Sequence, residues 1–563
     1  MAHPRDNPLI VQSDHTVLAE VDSPRFAEAR DRLLAFAELV KSPEHVHTYR
    51  ITPLSVWNAR AAGIGEEEIV GTLEELGRYP VPDNVRAEIA AYAGRFGRVR
   101  LVQEEGRLVL EVDDGALAEL LARQDAIDPL LGERLSTTRF EVPRLGRGRL
   151  KQALVEIGYP AEDLAGYAAG EPLPLSLLPE RRAGGRFALR DYQREAADAF
   201  HAGGTSRGGS GVVVLPCGAG KTIVGMAVMA RLETSTLILT TSVTAARQWR
   251  RELLDKTTLE EDQIGEYGSA AKEIRPVTIS TYQMLTHRPT KEDGFPHMDL
   301  FERRNWGLVV YDEVHLLPAP VFQVTAGLQA RRRLGLTATL VREDGREGDV
   351  FALIGPKKVD VPWRVLERQG WVAEASCAEV RVPMPEELQM SYALAKPRQR
   401  FRMASENPAK LGVVRRLLER HPEEPALLLS AYVEQIRGLA RELGIPVLTG
   451  QTAQKRRDRI FDDFRTGRLK ALALSKIGNF AVDLPDASVA IQVSGTFGSR
   501  QEEAQRLGRV LRPKNGDNQA HFYTLVSRDT VEQEFALKRQ LFLCEQGYEY
   551  RILDPEELEA HPA

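Results

Sequence analysis

The sequence predicts an α/β protein in which two parallel-sheet domains stand in tandem behind a smaller α+β region. Short apolar, β-branched runs alternate with helical patterns, first over residues 189–361 and again over residues 426–525. Strands that alternate with helices form parallel sheets covered on both faces. A stretch rich in Pro, Gly and Arg over residues 171–186 lacks periodicity and predicts a linker before the first of these domains.

Each of the two domains is predicted to contain five strands. In the first domain they are residues 212–215, 237–240, 277–280, 308–311 and 334–336. In the second they are residues 426–429, 445–448, 471–474, 489–493 and 521–525. We therefore expect one α/β domain over residues 186–365, a second over residues 366–553, and a tail over residues 554–563.

The region before the linker has a different pattern. Thr52 and Pro53 predict a helix N-cap and first helical position, and alternating residues around 97–112 predict a hairpin. Residues 1–115 therefore form an accessory domain, either winged-helix-like or a mixed module for protein contacts. Its 20 acidic and 13 basic side chains disfavour contact with a phosphate backbone. Residues 116–185 are predicted to be a small α+β region that ends in the linker.

Composition excludes several classes of protein. The chain of 563 residues is 43% hydrophobic, which is typical of several packed domains. Its three cysteines, Cys217, Cys377 and Cys544, are too far apart for a disulfide framework or a zinc motif. No apolar run is long enough to span a bilayer, and residues 1–10 lack a signal-peptide pattern. We expect no membrane contact and a cytoplasmic location.

A phosphate-binding loop follows the first predicted strand of the first α/β domain. Backbone N–H groups of such a loop and the N-terminus of the next helix converge on an anion. Lys221 is expected to reach the β and γ phosphates of ATP, and Thr222 to ligate magnesium. Leu215 stands where the strict motif has Gly, so the loop is a variant. Its residues are Pro216, Cys217, Gly218, Ala219, Gly220, Lys221 and Thr222.

A segment upstream of the loop is a candidate for adenine recognition. Arg190 and Gln193 lie in the sequence LRDYQ, about two dozen residues before the loop. A Gln amide offers a donor and an acceptor together, which suits the adenine edge. We therefore include both residues among the candidate ATP-binding residues.

A second acidic motif follows the fourth predicted strand. Asp312, Glu313 and His315 belong to the sequence DEVH, which begins where the strand ends. Ligands of parallel sheets bind at the carboxyl ends of the strands. Asp312 is expected to hold magnesium, and Glu313 to orient and deprotonate the attacking water.

Near the C-terminus, a basic run completes the predicted ATP site. Arg509 and Arg512 lie three residues apart on a predicted helix, with Gln505 four residues before Arg509. An arginine directed at the γ phosphate stabilises transition-state charge. Because this run belongs to the second domain, domain closure would become a condition for hydrolysis, as in a motor.

These motifs, in this order, resemble the XPB family of superfamily 2 DNA repair helicases over residues 187–553. The resemblance rests on the motifs above and on ISTYQML at 279, LGLTATLVRED at 334, SKIGNFAVDLP at 475 and AQRLGRVLR at 504. Its most discriminating element is the charged trio Arg342, Glu343 and Asp344. The resemblance implies two tandem RecA-like motor domains that drive 3′ to 5′ movement on DNA, in repair or DNA opening.

The resemblance also implies roles for further residues. Thr337, Ala338 and Thr339, with His315 and Asp483, would couple hydrolysis to DNA movement, and the charged trio would lie near strand separation. Thr241 and Ser242 match a nucleic-acid-contacting motif, and residues 382–407 lie where the family carries a thumb-like element. The extra N-terminal domain and residues 116–185 resemble the accessory and damage-recognition parts of bacterial XPB-like proteins. Ala481 departs from the Gly that is common near Asp483.

Three functions stay open at this point. The first is a DNA-dependent ATPase and 3′ to 5′ helicase that acts on forked or partly single-stranded DNA. The second is a duplex translocase that remodels protein–DNA complexes without separating strands. The third is a nucleotide-gated scaffold that recruits a nuclease or another repair protein. The complete set Lys221, Asp312, Glu313, Arg509 and Arg512 disfavours a purely structural role.

Overall fold

The fold is that of a computed structural model of the chain. It describes residues 6–41, 45–143, 146–205, 207–216, 218–269, 271–290, 295–328, 331–338, 346–361, 366–367, 369, 374–475, 487–495, 519–545 and 550–558. Within this part of the chain, no helix has both the length and the apolar character needed to cross a membrane.

The N-terminal region begins with a four-stranded antiparallel sheet and four helices. Thr52 caps the second helix as the sequence indicates, because its hydroxyl accepts from the Ser55 N–H at 3.1 Å. The strand order is β1-β2-β4-β3. The elements are β1 (Leu9–Val11), β2 (Thr16–Glu20), α1 (Phe26–Leu33), β3 (Glu38–Lys41), β4 (Val46–Arg50), α2 (Pro53–Ala61), α3 (Glu66–Leu76) and α4 (Asp83–Arg95).

A second small sheet has its own core and contains the predicted hairpin. Leu101 and Leu110 of the hairpin pack with Phe140 and Leu150, so the hairpin belongs with residues 134–163 and not with the preceding helices. A boundary at residue 115 would divide this sheet. Its order is β7-β8-β6-β5-β9. The elements are β5 (Val99–Glu104), β6 (Arg107–Val112), α5 (Gly115–Ala122), β7 (Arg134–Ser136), β8 (Arg139–Val142), α6 (Arg147–Glu156) and β9 (Ala161–Asp163).

The first α/β domain is built on a seven-stranded parallel sheet. Its order is β12-β13-β11-β14-β15-β10-β16. The elements are α7 (Asp191–His201), β10 (Ser210–Val214), α8 (Lys221–Leu232), β11 (Thr236–Thr240), α9 (Val243–Lys256), β12 (Ile264–Tyr267), β13 (Val277–Thr281), α10 (Tyr282–Leu285), β14 (Leu308–Asp312), α11 (Ala319–Gly327), β15 (Arg332–Thr337), α12 (Glu347–Leu353) and β16 (Lys357–Asp360).

The second α/β domain repeats this architecture. Its sheet is also seven-stranded and parallel, in the order β19-β20-β18-β21-β22-β17-β23. The elements are β17 (Glu374–Val382), α13 (Glu386–Leu394), α14 (Pro397–Ser405), α15 (Lys410–Arg420), β18 (Ala426–Leu429), α16 (Val433–Leu443), β19 (Val447–Leu448), α17 (Gln454–Arg465), β20 (Ala471–Leu474), β21 (Val489–Gln492), β22 (Gln519–Ser527), α18 (Val531–Glu545) and β23 (Tyr550–Leu553).

The two sheets have the same topology. When the strands of each domain are numbered from one to seven along the chain, both sheets have the order 3-4-2-5-6-1-7. The predicted fold class, two tandem RecA-like domains behind a smaller α+β region, is therefore confirmed. All ten predicted strands are present, and four more, β12, β16, β17 and β23, were not predicted from the sequence.

Candidate active site

The phosphate-binding loop lies at the carboxyl end of β10, between that strand and α8. The strand is fully buried, and α8 begins at Lys221 immediately after Gly220. Gly220 has a φ of +82°, and a Cβ there would lie 2.6 Å from the Gln193 Nε2 atom. Only glycine fits this position, so the chain can turn and present the N-terminus of α8 to an anion.

The Gln193 side chain is hydrogen-bonded to the phosphate-binding loop and to the residue before α7. Its side chain is buried at 4% exposure, and its Nε2 donates to the Ala219 carbonyl at 3.0 Å. Its Oε1 accepts from the Arg190 N–H at 3.1 Å, and the Tyr192 hydroxyl donates to the same Ala219 carbonyl at 2.7 Å. The start of α7 is thus bonded directly to the loop. Adenine recognition by Arg190 and Gln193 stays a prediction.

Lys221 and Glu313 meet across the site. The Lys221 Nζ atom lies 2.9 Å from the Glu313 Oε1 atom, with both side chains largely buried. Burial opposes ionisation of Glu313, but Lys221, His315 and the Ala338 N–H outweigh it and lower its pKa. The carboxylate therefore stays ionised, as a general base requires. The two residues come from different strand ends, those of β10 and β14.

The backbone of Glu313 is strained. Its φ is +52° and its ψ is +57°, a left-handed conformation that costs a residue other than glycine about 1–2 kcal/mol. Such strain persists only where surrounding contacts enforce it, and it concentrates at functional sites. Here the turn directs the carboxylate toward Lys221.

Asp312, the last residue of β14, is held by two ring systems. Its Oδ2 accepts from the Trp249 Nε1–H at 2.9 Å, and its main-chain carbonyl accepts from the Tyr282 hydroxyl at 2.9 Å. Burial and the neighbouring Glu313 carboxylate raise the pKa of Asp312 to about 6. The side chain of Asp312 is thereby oriented by Trp249 on α9, and its main chain is held by Tyr282 on α10.

His315 connects the acidic motif to the end of β15. Its Nδ1 lies 2.7 Å from the Thr337 hydroxyl and 3.7 Å from the Glu313 Oε2 atom. Both His315 and Thr337 are buried. Because the Ala338 N–H bonds to the Glu313 carboxylate, two successive residues of the Thr-Ala-Thr motif contact the DEVH motif.

The remaining described candidates lie around the same edge of the sheet. Thr241 directly follows β11, and Ser242 caps α9, its hydroxyl accepting from the Ala245 N–H at 3.2 Å. Pro216 and Gly218 form the loop, and Thr222 lies in the first turn of α8. Nucleic-acid contact by Thr241 and Ser242 stays a prediction.

Several predicted residues lie outside the part of the chain that the structure describes. They are Cys217, Thr339, Arg342, Glu343, Asp344, Asp483, Gln505, Arg509 and Arg512. The structure therefore brings together the loop, the DEVH motif, Thr337 and Ala338, and the roles of the others remain predictions.

Comparison with known proteins shows the family. Three family models match successive parts of the chain: a helicase conserved C-terminal domain over residues 9–136, the res subunit of type III restriction enzymes over 186–342, and the ERCC3/RAD25/XPB C-terminal helicase over 366–561. A DNA 3′-5′ helicase XPB of Kineococcus radiotolerans is 55% identical over 556 residues, covering 98% of each chain. The chain belongs to the XPB family of helicases.

Further XPB-family members match over nearly the whole chain. The DNA 3′-5′ helicase XPB of Mycobacterium tuberculosis is 54% identical over 98% of this chain and 99% of its own length. A third relative is the helicase/translocase subunit XPB/SSL2 of general transcription and DNA repair factor IIH from Saccharomyces cerevisiae. It is 31% identical over 97% of this chain and 72% of its own length. The family resemblance predicted from the motifs is thus confirmed.

The XPB-family site contains one residue whose role the sequence did not reveal. Trp249 is 1% exposed and donates to Asp312, yet from the sequence its helical spacing is typical of a core residue. A signal was available, since a buried indole N–H usually finds an acceptor. Nothing in the sequence identified Asp312, 63 residues later, as that acceptor.

Proposed function

We propose that this XPB-family chain is an ATP-dependent DNA helicase that moves 3′ to 5′ and acts in DNA repair or DNA opening. The carrying observation is the site where the Lys221–Glu313 pair, at 2.9 Å, lies beside Asp312. A phosphate-binding Lys, a buried carboxylate base and a second acidic residue at one sheet edge are the chemistry that ATP hydrolysis requires. The names of the bacterial relatives support the polarity and the DNA substrate.

Lys221 and Glu313 exchange partners during the proposed reaction. In the structure the Lys221 ammonium contacts the Glu313 carboxylate at 2.9 Å. When ATP binds, its β and γ phosphates compete for the ammonium. Glu313 is then released from Lys221 to orient and deprotonate the attacking water.

Magnesium is the metal that this site would hold. Thr222 and Asp312 offer a hydroxyl and a carboxylate, the hard oxygen ligands that magnesium prefers. The buried Asp312 carboxylate, which is held by Trp249 at 2.9 Å, fits a cation. When bound, the ion neutralises charge that develops on the phosphates. Trp249 orients the Asp312 ligand from the second coordination shell.

The contact of His315 with Thr337 supports a coupling role for both. Thr337 ends β15, and Ala338 donates its N–H to the catalytic carboxylate. A change at Glu313 on hydrolysis would therefore alter its contacts with the Thr-Ala-Thr motif. The chain continues from this motif to the trio Arg342, Glu343 and Asp344. We propose that this segment passes the change to DNA, with Asp483 acting from the second domain.

Gln505, Arg509 and Arg512 supply the second half of the proposed ATP site. An arginine that reaches the γ phosphate only on closure makes hydrolysis depend on the arrangement of the domains. We assign the motor domains to residues 186–365 and 366–553, before a tail over 554–563 and behind two accessory regions, one over residues 9–95 and the small-sheet region over 99–163. Forked or partly single-stranded DNA is the proposed substrate, a nuclease or another repair protein the proposed partner, and the cytoplasm the proposed location.

Duplex translocation is the second candidate. The yeast relative is named a helicase/translocase subunit, which favours keeping this function beside strand separation. Forks with 3′ tails, 5′ tails or no tails distinguish them in one assay of ATPase and strand displacement. A 3′ to 5′ helicase displaces strands from 3′-tailed forks, whereas a duplex translocase hydrolyses ATP on untailed duplex without displacement. Equal stimulation by RNA would contradict the DNA assignment.

Glu313→Gln tests the catalytic assignment directly. The variant should bind ATP and lose nearly all DNA-stimulated hydrolysis, because the amide cannot accept the proton from water. A matched control is Glu266→Gln on β12, whose carboxylate lies 3.8 Å from the Arg250 Nε atom. Wild-type turnover in Glu313→Gln would refute the proposed base.

A further inference from the structure

The second α/β domain contains a cluster of metal-binding side chains near the amino ends of β18 and β22. His421, Glu424 and His521 each offer one ligand atom, and these atoms lie within 4.8 Å of one another. His421 follows the last residue of α15, Glu424 lies in the turn before β18, and His521 lies near the start of β22. In a parallel sheet these are the amino ends of strands.

The cluster is set into the domain and open on one side. The His421 side chain is 0% exposed and that of Glu424 is 35% exposed, while His521 is 8% exposed. The two imidazoles face each other with ring centroids 4.6 Å apart. Two ligands are thus fixed by packing, and the third can adjust from the solvent side.

The contacts of His421 have the pattern of a metal ligand with a supporting partner. Its Nε2 lies 2.9 Å from the Tyr523 hydroxyl, and its Nδ1 lies 2.7 Å from the Glu424 Oε1 atom. In the metal-free site the Nδ1–H donates to the Glu424 carboxylate and Nε2 accepts from the Tyr523 hydroxyl; a metal would replace the Nδ1 proton, and Nε2–H could then donate to Tyr523. Ligating histidines in proteins usually donate their other ring N–H in this way. Tyr523 is suited to this because it lies two residues from His521, on the same face of β22.

We propose that His421, Glu424 and His521 bind a divalent transition-metal ion of the zinc class, with water in the fourth position. Two imidazoles and a carboxylate are a zinc ligand set with an open position. Zinc bonds of about 2.1 Å at tetrahedral angles place neighbouring ligand atoms roughly 3.4 Å apart. The 2.7 Å separation of Nδ1 and Oε1 therefore needs an outward shift of the partly exposed Glu424, and ligand atoms that lie up to 4.8 Å apart must draw closer.

The ion would fasten the C-terminal end of α15 to β22. The N-terminal end of this helix is already held by α18, the helix that follows β22. The Lys410 ammonium lies 2.9 Å from the Glu532 carboxylate at the start of α18, and both side chains are 1% exposed. Both ends of α15 would then be linked to the continuous segment β22–α18. The proposed role is structural, so removal of the metal should lower the unfolding temperature and leave basal ATP hydrolysis in place.

Cobalt binding to the untagged full-length chain tests the site, with ADP and excess magnesium present to saturate the nucleotide site. We expect one Co²⁺ per chain with the visible absorption of a four-coordinate nitrogen and oxygen site, displaced by Zn²⁺. Glu424→Gln and His521→Gln should each weaken binding at least about 100-fold. Glu423→Gln is the matched control, since the neighbouring Glu423 carboxylate instead pairs with Lys470 at 3.1 Å and should bind as wild type.

The folding of each variant is checked separately. In the presence of EDTA, Glu424→Gln and Glu423→Gln should unfold at the same temperature as wild type, and Zn²⁺ should raise that temperature only in wild type and Glu423→Gln. Absence of bound Co²⁺ in wild type would overturn the proposal. So would equal binding by wild type, Glu424→Gln and His521→Gln, which would place the metal elsewhere.

Discussion

Trp249→Phe should weaken magnesium binding, so that ATP hydrolysis needs a higher magnesium concentration. The predicted catalytic residues stay unchanged in this variant. The substitution keeps a large apolar ring on α9 and deletes the N–H that donates to Asp312 at 2.9 Å. The Trp249 ring packs against α8, since a Cβ on Gly225 would lie 2.5 Å from its Cη2 atom. The variant therefore separates the hydrogen bond from most of the packing.

The expected magnitude follows from the charge of the acceptor. A hydrogen bond to an ionised group contributes about 1.5–3 kcal/mol, and loss of a residue that orients a metal ligand typically costs about 10–100-fold in metal affinity. Removal of the donor also raises the pKa of Asp312 further, because the Trp249 bond opposes the effect of burial. We expect the magnesium concentration at half-maximal ATPase to rise roughly tenfold or more, with turnover recovering at saturating magnesium.

The assay is a magnesium titration of DNA-stimulated ATP hydrolysis, with Trp306→Phe as the control. Trp306 is equally buried at 1% exposure, and its Nε1–H donates to the Leu300 carbonyl at 3.0 Å, away from the site. Both variants should lose similar stability, and only Trp249→Phe should shift the magnesium curve. A wild-type magnesium midpoint in Trp249→Phe, or an equal shift in Trp306→Phe, would refute the reasoning.

The remaining predictions concern coupling and a buried ion-pair cluster in the small-sheet region. Thr337→Val removes the hydroxyl that lies 2.7 Å from His315 Nδ1, so strand displacement should fall more than ATP hydrolysis; equal loss of both would contradict a coupling role. Asp163→Asn should lower the free energy of unfolding by about 3–5 kcal/mol, because Asp163 is buried against Arg147 at 2.6 Å and Lys151 at 2.9 Å. Glu162→Gln, which removes a pair with the exposed Arg207, should cost less than about 1 kcal/mol. Burial lowers the pKa of Lys151 to about 8 although Asp163 raises it; without Asp163 this pKa falls further, so the deficit of Asp163→Asn, followed by denaturant unfolding, should shrink as pH rises toward 8 and stay constant above it. In wild type the pKa of Asp163, which burial alone would raise, is lowered by Lys151 and Arg147, so its stabilisation should be lost as pH falls below about 4.

The motor sheets were predictable where their strands are central. Runs such as Leu308–Asp312 and Ala426–Leu429 are buried on both faces and therefore stand out as apolar sequence. The four strands that escaped prediction lie at or beside sheet edges and contain charged residues. Glu379 of β17, for example, is 1% exposed but bonds to Arg381 and Tyr550. The second of these partners, Tyr550, is 171 residues away in the sequence.

The site was predictable where a motif carries its own context. The loop and the DEVH motif each follow an apolar strand, so their placement at one sheet edge follows from topology alone. The Asp312–Trp249 and His315–Thr337 contacts join residues 63 and 22 positions apart, and no local pattern encodes such pairings. The assignment of the hairpin over residues 99–112 failed for the same reason, because its sheet partners lie farther along the chain.

The two sheets share a strand order but differ in the segment that follows the first strand of each domain. Strand β10 in the first sheet corresponds to β17 in the second, and each is the first strand of its domain. After β10 the chain makes the glycine loop that cradles phosphate, whereas after β17 it enters the paired helices α13 and α14. The two domains share one sheet topology, but the first has the predicted ATP-binding loop after its first strand and the second has two helices there. We therefore expect each chain to bind one ATP through a loop of this kind.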